Sequence, residues 1–155
     1  MSIARTSRAR TLLATLCFAA AGAAATLPFV VETSEPMVVA SRLVPAAAVA
    51  AAMLGAFAWA VGVEGQRGPW RGAVSGALVG LVAHPVMWAL LALVVGAETG
   101  SPIRDRVGGT VGSGLFFGLF SALAYGPFTS TLGAVVGFGL QRTLAPPEPP
   151  PPTHP

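Results

Sequence analysis

A single histidine lies deep in one apolar stretch of this chain, and three hydroxyl side chains follow one another at helical spacing in a later one. His84 is the midpoint of residues 72–96, and Ser121, Tyr125 and Thr129 recur every four residues. Residues four apart share one face of a helix. An ionisable group within a membrane span is a functional candidate by default. We therefore expect His84 to approach this stripe and to form a hydrogen bond with Tyr125 or Ser121.

The chemistry open to His84 is limited by the residues around it. A neutral imidazole that ties two helices together is the simplest role, and a path for protons or a substrate is the alternative. Haem ligation would need a second deep histidine, which a dimer would have to supply. A metal site would need more ligands at this depth, and Cys17 is the sole cysteine. Acyl transfer would need an acid that orients the imidazole. The sequence thus predicts no catalytic residue, metal or cofactor.

The composition indicates the solvent in which these residues lie. Of 155 residues, 54% are apolar and 10% are charged, and the mean hydropathy is +0.71. A soluble domain carries about 25% charged residues. The net charge of +3 comes from arginines that flank apolar stretches, so it does not indicate a nucleic-acid partner. The composition predicts an all-α integral membrane protein whose main partner is the lipid bilayer.

Four mostly apolar stretches are long enough for a spanning helix, which needs about 20 residues. They cover residues 11–31, 43–63, 72–96 and 108–140. The predicted membrane domain, residues 11–142, follows a basic segment at 1–10 and precedes a tail at 143–155. The first stretch also resembles a secretory signal peptide, because arginines precede it and small residues lie near its end. The first stretch is therefore either a retained membrane helix, which gives four spans, or a cleaved signal peptide, which leaves three.

The last apolar stretch is longer than one straight span requires. Gly126 and Pro127 lie inside it, and proline removes a backbone donor. The sequence predicts either one kinked helix or two half-helices that meet at this pair. The tail that follows is rich in consecutive prolines, which predicts a disordered, extended segment.

The positions of the arginines predict the orientation. Cytoplasmic loops are enriched in basic residues. With the N-terminus inside, six arginines lie on the cytoplasmic side and three on the outer side, which places both termini in the cytoplasm. Alanine, glycine, proline and arginine make up 71 residues, and lysine is absent. Such a bias is typical of a GC-rich genome, so we expect a bacterial inner membrane protein.

Glycines at spacing four indicate where helices approach each other closely. Small residues allow close packing where lipid gives helices no hydrophobic reason to associate. The third stretch carries Gly72, Gly76 and Gly80, and the fourth carries Gly114 and Gly118. We expect the third and fourth helices to pack tightly, within one chain or between copies.

These observations favour a small polytopic bacterial membrane protein without enzymatic activity. Its expected role is that of an accessory or self-associating subunit that packs through glycine-rich helix faces. The partner would be another membrane protein or a second copy of the chain. The alternative is a small transporter or channel component with a path near His84.

Overall fold

The computed structural model describes residues 7–32, 36–63 and 68–144. Within these ranges the chain is helical, and no strand occurs. The helices are α1 (Ser7–Ala25), α2 (Leu27–Glu32), α3 (Pro36–Ala58), α4 (Pro69–Glu98) and α5 (Ile103–Leu144), and a π-helical segment at Trp59–Val63 continues α3. The predicted all-helical class is confirmed for this part of the chain.

Four helical segments are long and apolar enough to cross a membrane. They are Ser7–Val31, Ala40–Val63, Pro69–Glu98 and Ile103–Leu144. Many of their large apolar side chains point outward; Leu115, Phe116 and Leu123 are examples. Such a surface would be a large apolar patch in water. The expectation of a multi-pass membrane protein is met at this level, and insertion into lipid stays a prediction.

The last helix is longer than the sequence predicted. α5 has 42 residues, which corresponds to about 63 Å, against a hydrocarbon core of about 30 Å. It continues through Thr143 and Leu144, which the sequence assigned to the tail. Leu144 is buried with Leu140 in a core cluster, and this burial explains why the helix does not end where the apolar run does. Residues 145–155, the rest of the predicted tail, lie outside the described residues.

Gly126 and Pro127 lie inside α5, which is helical without interruption across this pair. The chain therefore forms one helix here, and the alternative of two separate half-helices is wrong. A kink at Pro127 stays a prediction.

The turns before α4 and after it use residues suited to sharp changes of direction. Gly68 has a φ of 103° and precedes Pro69 at the first helical position, where the missing proline N–H costs nothing. At the other end, the Thr99 hydroxyl donates to the Val95 carbonyl at 3.0 Å. Gly100 then adopts a φ of 69°, a left-handed conformation that favours glycine. This short connection turns α5 back along α4.

The four long helices close a ring. α1 packs on α3, α3 on α4, α4 on α5, and α5 on α1, and the largest contact joins α4 and α5. One core cluster, which includes Phe18, Trp59, Val79 and Leu140, fills the end near the α5 C-terminus. A second cluster, Leu43, Ala47, Ala50 and Met87, lies between α3 and α4. The space between these clusters contains the candidate site.

The helices α4 and α5 are in close contact in two zones, and the number of residues between these zones differs between the two helices. Gly80 lies against the backbone of Thr129, and Gly118 lies against Pro85. From Gly80 to Pro85, α4 advances by five residues, or about 8 Å. Between the facing residues Thr129 and Gly118, α5 advances by eleven residues, or about 16 Å. The intervening part of α5, opposite His84, is longer than straight antiparallel packing against α4 would require.

Candidate functional site

His84 is buried in the segment of α4 that faces this excess length of α5. Its side chain is 6% exposed. The Nδ1 atom lies 2.6 Å from the Ser121 hydroxyl, and Nε2 lies 2.9 Å from the Thr129 hydroxyl. The structure thus joins the predicted histidine to two of the three predicted hydroxyl residues. Both ring nitrogens have partners on the neighbouring helix.

The hydroxyl partners fit a neutral imidazole that carries its proton on Nε2. The Thr129 hydroxyl donates to the Tyr125 or Gly126 carbonyl, each at 3.2 Å. Its lone pairs are then free to accept a hydrogen bond from Nε2–H. Nδ1 is left as an acceptor, and the Ser121 hydroxyl can donate to it. Every polar atom of this cluster is satisfied without a charge, which suits a position inside a membrane span.

Tyr125 does not join this cluster. Its ring lies against the ring of Phe29 in α2, with centroids 4.0 Å apart. The next residue, Gly126, is buried instead and faces Leu81 of α4. A spacing of four drifts around a helix, and a bulky ring does not fit where two backbones approach closely. The stripe predicted from the sequence therefore contributes its small hydroxyl residues only.

A cavity of about 430 Å³ lies between α1, α3, α4 and α5 and includes His84 in its wall. Most of its lining is apolar, with Phe18, Leu43, Met87 and Trp88 among the larger side chains. The polar lining residues are Thr26, Arg42, His84, Ser121 and Thr129. Cavities of this size and composition are typical of small-molecule sites. The surroundings of His84 are not a solid packed core.

One end of the cavity lies near the connection between α4 and α5 and carries an ion pair. An Arg42 guanidinium nitrogen lies 3.2 Å from a Glu98 carboxylate oxygen. Both side chains are about half exposed, at 48% and 49%. Arg42 lines the cavity together with Val95, whereas Glu98 lies outside the lining. In the sequence Arg42 is one of the arginines that flank apolar stretches, and its place at a cavity could not be predicted because it depends on how the helices pack.

The five predicted packing glycines lie along the α4–α5 contact. Gly72 and Gly76 face the backbones of Gly137 and Gly133, and Gly80 faces Thr129. On α5, Gly114 and Gly118 face Ala89 and Pro85 of α4. The two predicted sets therefore meet different partners and do not meet each other.

The partners Gly133 and Gly137 were missed from the sequence. Their spacing of four is the same signal that marked Gly114 and Gly118. They lie C-terminal to Pro127, and the prediction from glycine spacing considered only the part of this stretch before that proline. By contrast, Gly108 and Gly112 form a separate pair with the same spacing near the start of α5, and a Cβ added at either position would meet no other helix within 4 Å.

Gln141 is a further residue that the sequence did not single out. Its side chain is 2% exposed, and its Oε1 atom accepts a hydrogen bond from the backbone N–H of Gly72. The first backbone N–H groups of a helix have no partner within the helix. Gln141 of α5 therefore caps the first turn of α4. A polar residue beside Arg142 gives no sequence signal for that role.

We expect replacement of this cap to loosen the paired helices. Gln141→Met keeps the side-chain size but leaves the Gly72 N–H without this acceptor, at a cost of about 1 kcal/mol. The measurement is the midpoint of unfolding in a denaturing detergent titration. Thr143→Val is the matched control, because its hydroxyl is exposed and bonds only within its own helix. Equal midpoints for Gln141→Met and the wild type would contradict the capping role.

Comparisons of this chain with models of protein families, with curated proteins and with solved structures find no match. The site itself must therefore carry the functional argument. Within the described ranges, no group of three or more His, Cys, Asp or Glu residues lies close enough together to hold a metal ion. What the arrangement offers is a satisfied imidazole beside an apolar cavity, with one guanidinium at the far end of the lining.

Proposed function

We propose that this chain is a multi-pass, non-catalytic protein of a bacterial inner membrane that admits a small molecule to the cavity beside His84. The observation that carries the proposal is the cavity of about 430 Å³ in whose wall the imidazole lies. A path or binding site needs open space at His84, and a solid core would have opposed it. The sequence favoured a packing subunit over this role, and the cavity is the observation that supports this role instead.

The shape of α5 supports this role. Eleven residues of α5 span the gap that five residues of α4 span, between the contacts at Gly80 and at Gly118. A bend at Pro127 would place the excess length away from α4, since proline frees a carbonyl and kinks helices. The Gly126–Pro127 kink would then help to open the cavity.

The packing of α1 against the other helices supports a protein in which α1 is retained and not cleaved as a signal peptide. Ala14 and Phe18 are buried at 0% and 4% exposure, and Gly22 lies against Ala47 and Ala51 of α3. Phe18 also lines the cavity. Removal of α1 as a signal peptide would expose these surfaces and open one wall of the site. We propose four spans, with both termini in the cytoplasm and the Arg42 end of the cavity toward the outer face.

The cavity role predicts a difference in chemical accessibility between two adjacent residues of α4. Ala83 lines the cavity, whereas Val82 is 43% exposed on the outer surface of the bundle, where lipid would cover it. In a Cys17→Ala background in phosphatidylcholine liposomes, we expect Ala83→Cys to react at least about 10-fold faster than Val82→Cys with a small uncharged, water-soluble thiol reagent. The physical reason is that thiolates form only where water reaches. Equal rates at the two positions would overturn the proposal.

A second candidate is the accessory subunit predicted from the sequence. A Cβ added at Gly108, Gly109 or Gly112 of α5 would meet no other helix within 4 Å, and Val111 and Leu115 beside them are exposed. Such a face suits a helix of another membrane protein. Purification from native membranes should then recover a stoichiometric partner that Gly112→Leu releases. Recovery of this chain alone would count against it.

A further inference from the structure

We infer that the cavity holds the hydrocarbon chain of an amphiphile whose anionic head group binds Arg42. The inference rests on the proposed function, and it names the class of molecule that the cavity takes.

The cavity has the dimensions of an extended chain. On α4 its lining runs from Val79 to Val95, a distance of about 24 Å at 1.5 Å per residue. A space of about 430 Å³ whose lining extends that far along α4 has room for an extended hydrocarbon chain.

The wall of the cavity is effectively apolar below its Arg42 end. His84, Ser121 and Thr129 bond to one another. The Thr26 hydroxyl donates to the Ala23 carbonyl at 2.7 Å. Since these polar lining residues are already satisfied, none requires a polar group on the ligand. A hydrocarbon chain can lie beside these four residues without taking a partner from any of them. The indole N–H of Trp88, which also lines the cavity, is buried without a hydrogen-bond partner, and a hydrocarbon chain leaves it so.

Arg42 is the charged residue of the lining, and its position selects the head group. It lies at the end of the cavity where α3 meets the C-terminal end of α4, as its ion pair with Glu98 shows. A guanidinium has five N–H donors in a fixed fork, so one carboxylate does not use all of them. Half-exposed ion pairs contribute little stability, and an incoming anion can share or replace Glu98. The head group that fits is a carboxylate or a phosphate.

An aromatic side chain within the lining provides a reporter for the bound chain. Trp88 lines the cavity about 10 Å along α4 from Val95, between Arg42 and His84. Trp70, in contrast, is 59% exposed in the first turn of α4 and does not line the cavity. With Trp59 replaced by phenylalanine, variants that keep Trp88 alone or Trp70 alone form a matched pair.

The test measures tryptophan quenching by a fatty acid brominated at mid-chain, in phosphatidylcholine liposomes. We expect saturable quenching of Trp88, and a linear, non-saturable response of Trp70 from partition into the bilayer. Arg42→Gln should weaken the apparent affinity for the acid at least about 10-fold, because it removes the opposite charge beside the head group. Glu98→Gln should strengthen that affinity, because it removes a like charge. The methyl ester of the same acid should respond to neither substitution. Saturation that is identical for the acid and its ester, or that is absent at Trp88, would overturn the inference.

Two further arms identify the source of the chain and separate this inference from the proposed function. Brominated phosphatidylglycerol that quenches Trp88 with the same dependence on Arg42 would identify a bilayer lipid as the source of the anionic chain. A response to the free acid alone would identify a fatty acid. The acid should also slow labelling of Ala83→Cys. Fast labelling that the acid does not slow would overturn the ligand class and leave the cavity role standing, whereas slow labelling in its absence would overturn the cavity role itself.

Discussion

Gly76→Leu should separate α4 from α5 and cause the largest loss of stability of any substitution considered for this protein. Even the Cβ of the new side chain would overlap the Gly133 carbonyl group, which belongs to the backbone of a helix and cannot rotate aside. Overpacking of a close contact costs about 1–3 kcal/mol and occasionally more. We expect the upper end of that range, because the obstacle is backbone rather than a flexible side chain.

The measurement for this prediction is the midpoint of unfolding in a denaturing detergent titration, together with the fraction of monodisperse protein after purification. Gly112→Leu is the control, since a Cβ added at Gly112 of α5 would meet no other helix within 4 Å. Both variants gain the same side chain and lose the same helix-breaking glycine. A Gly76→Leu protein as stable as Gly112→Leu would show that the two backbones do not approach as closely as described.

His84→Leu should have the second-largest effect, through the polar atoms it leaves behind. Ser121 is 6% exposed and would lose its imidazole partner. Thr129 would keep its bonds to backbone carbonyls of its own helix. A buried hydroxyl without a partner costs about 1–3 kcal/mol. We expect a loss of about 2 kcal/mol, measured by the same titration.

Two further variants test the origin of that loss. His84→Gln retains an amide that can donate and accept, so it should remain close to the wild type. The double variant His84→Leu with Ser121→Ala should be more stable than His84→Leu alone, because no orphaned hydroxyl remains. Additive losses in the double variant would mean that His84 and Ser121 do not act as a pair.

Local sequence was sufficient to predict the helices because their signals are local. An apolar run of spanning length must satisfy its backbone hydrogen bonds within itself, and a helix does this without reference to the rest of the chain. His84 was identified for a related reason, since an ionisable residue in such a run has a cost that packing or function must offset. The glycines of α4 were recognisable through their spacing alone. Gly133 and Gly137 carry the same spacing, but the sequence could not identify them as the partners of Gly76 and Gly72, because pairing depends on the register between two helices.

The tertiary structure decided which residues share the site. Ser121 and Thr129 reach His84, and Tyr125 turns to Phe29. Arg42 is 42 residues from His84 in the sequence, and only the packing of α3 against α4 places both along one cavity. An empty volume is a property of how several helices fit together, and no single stretch of sequence encodes it. The sequence by itself determined four apolar helices and one imidazole within the third, whereas the packing of several helices around one cavity decided that this imidazole lies beside open space.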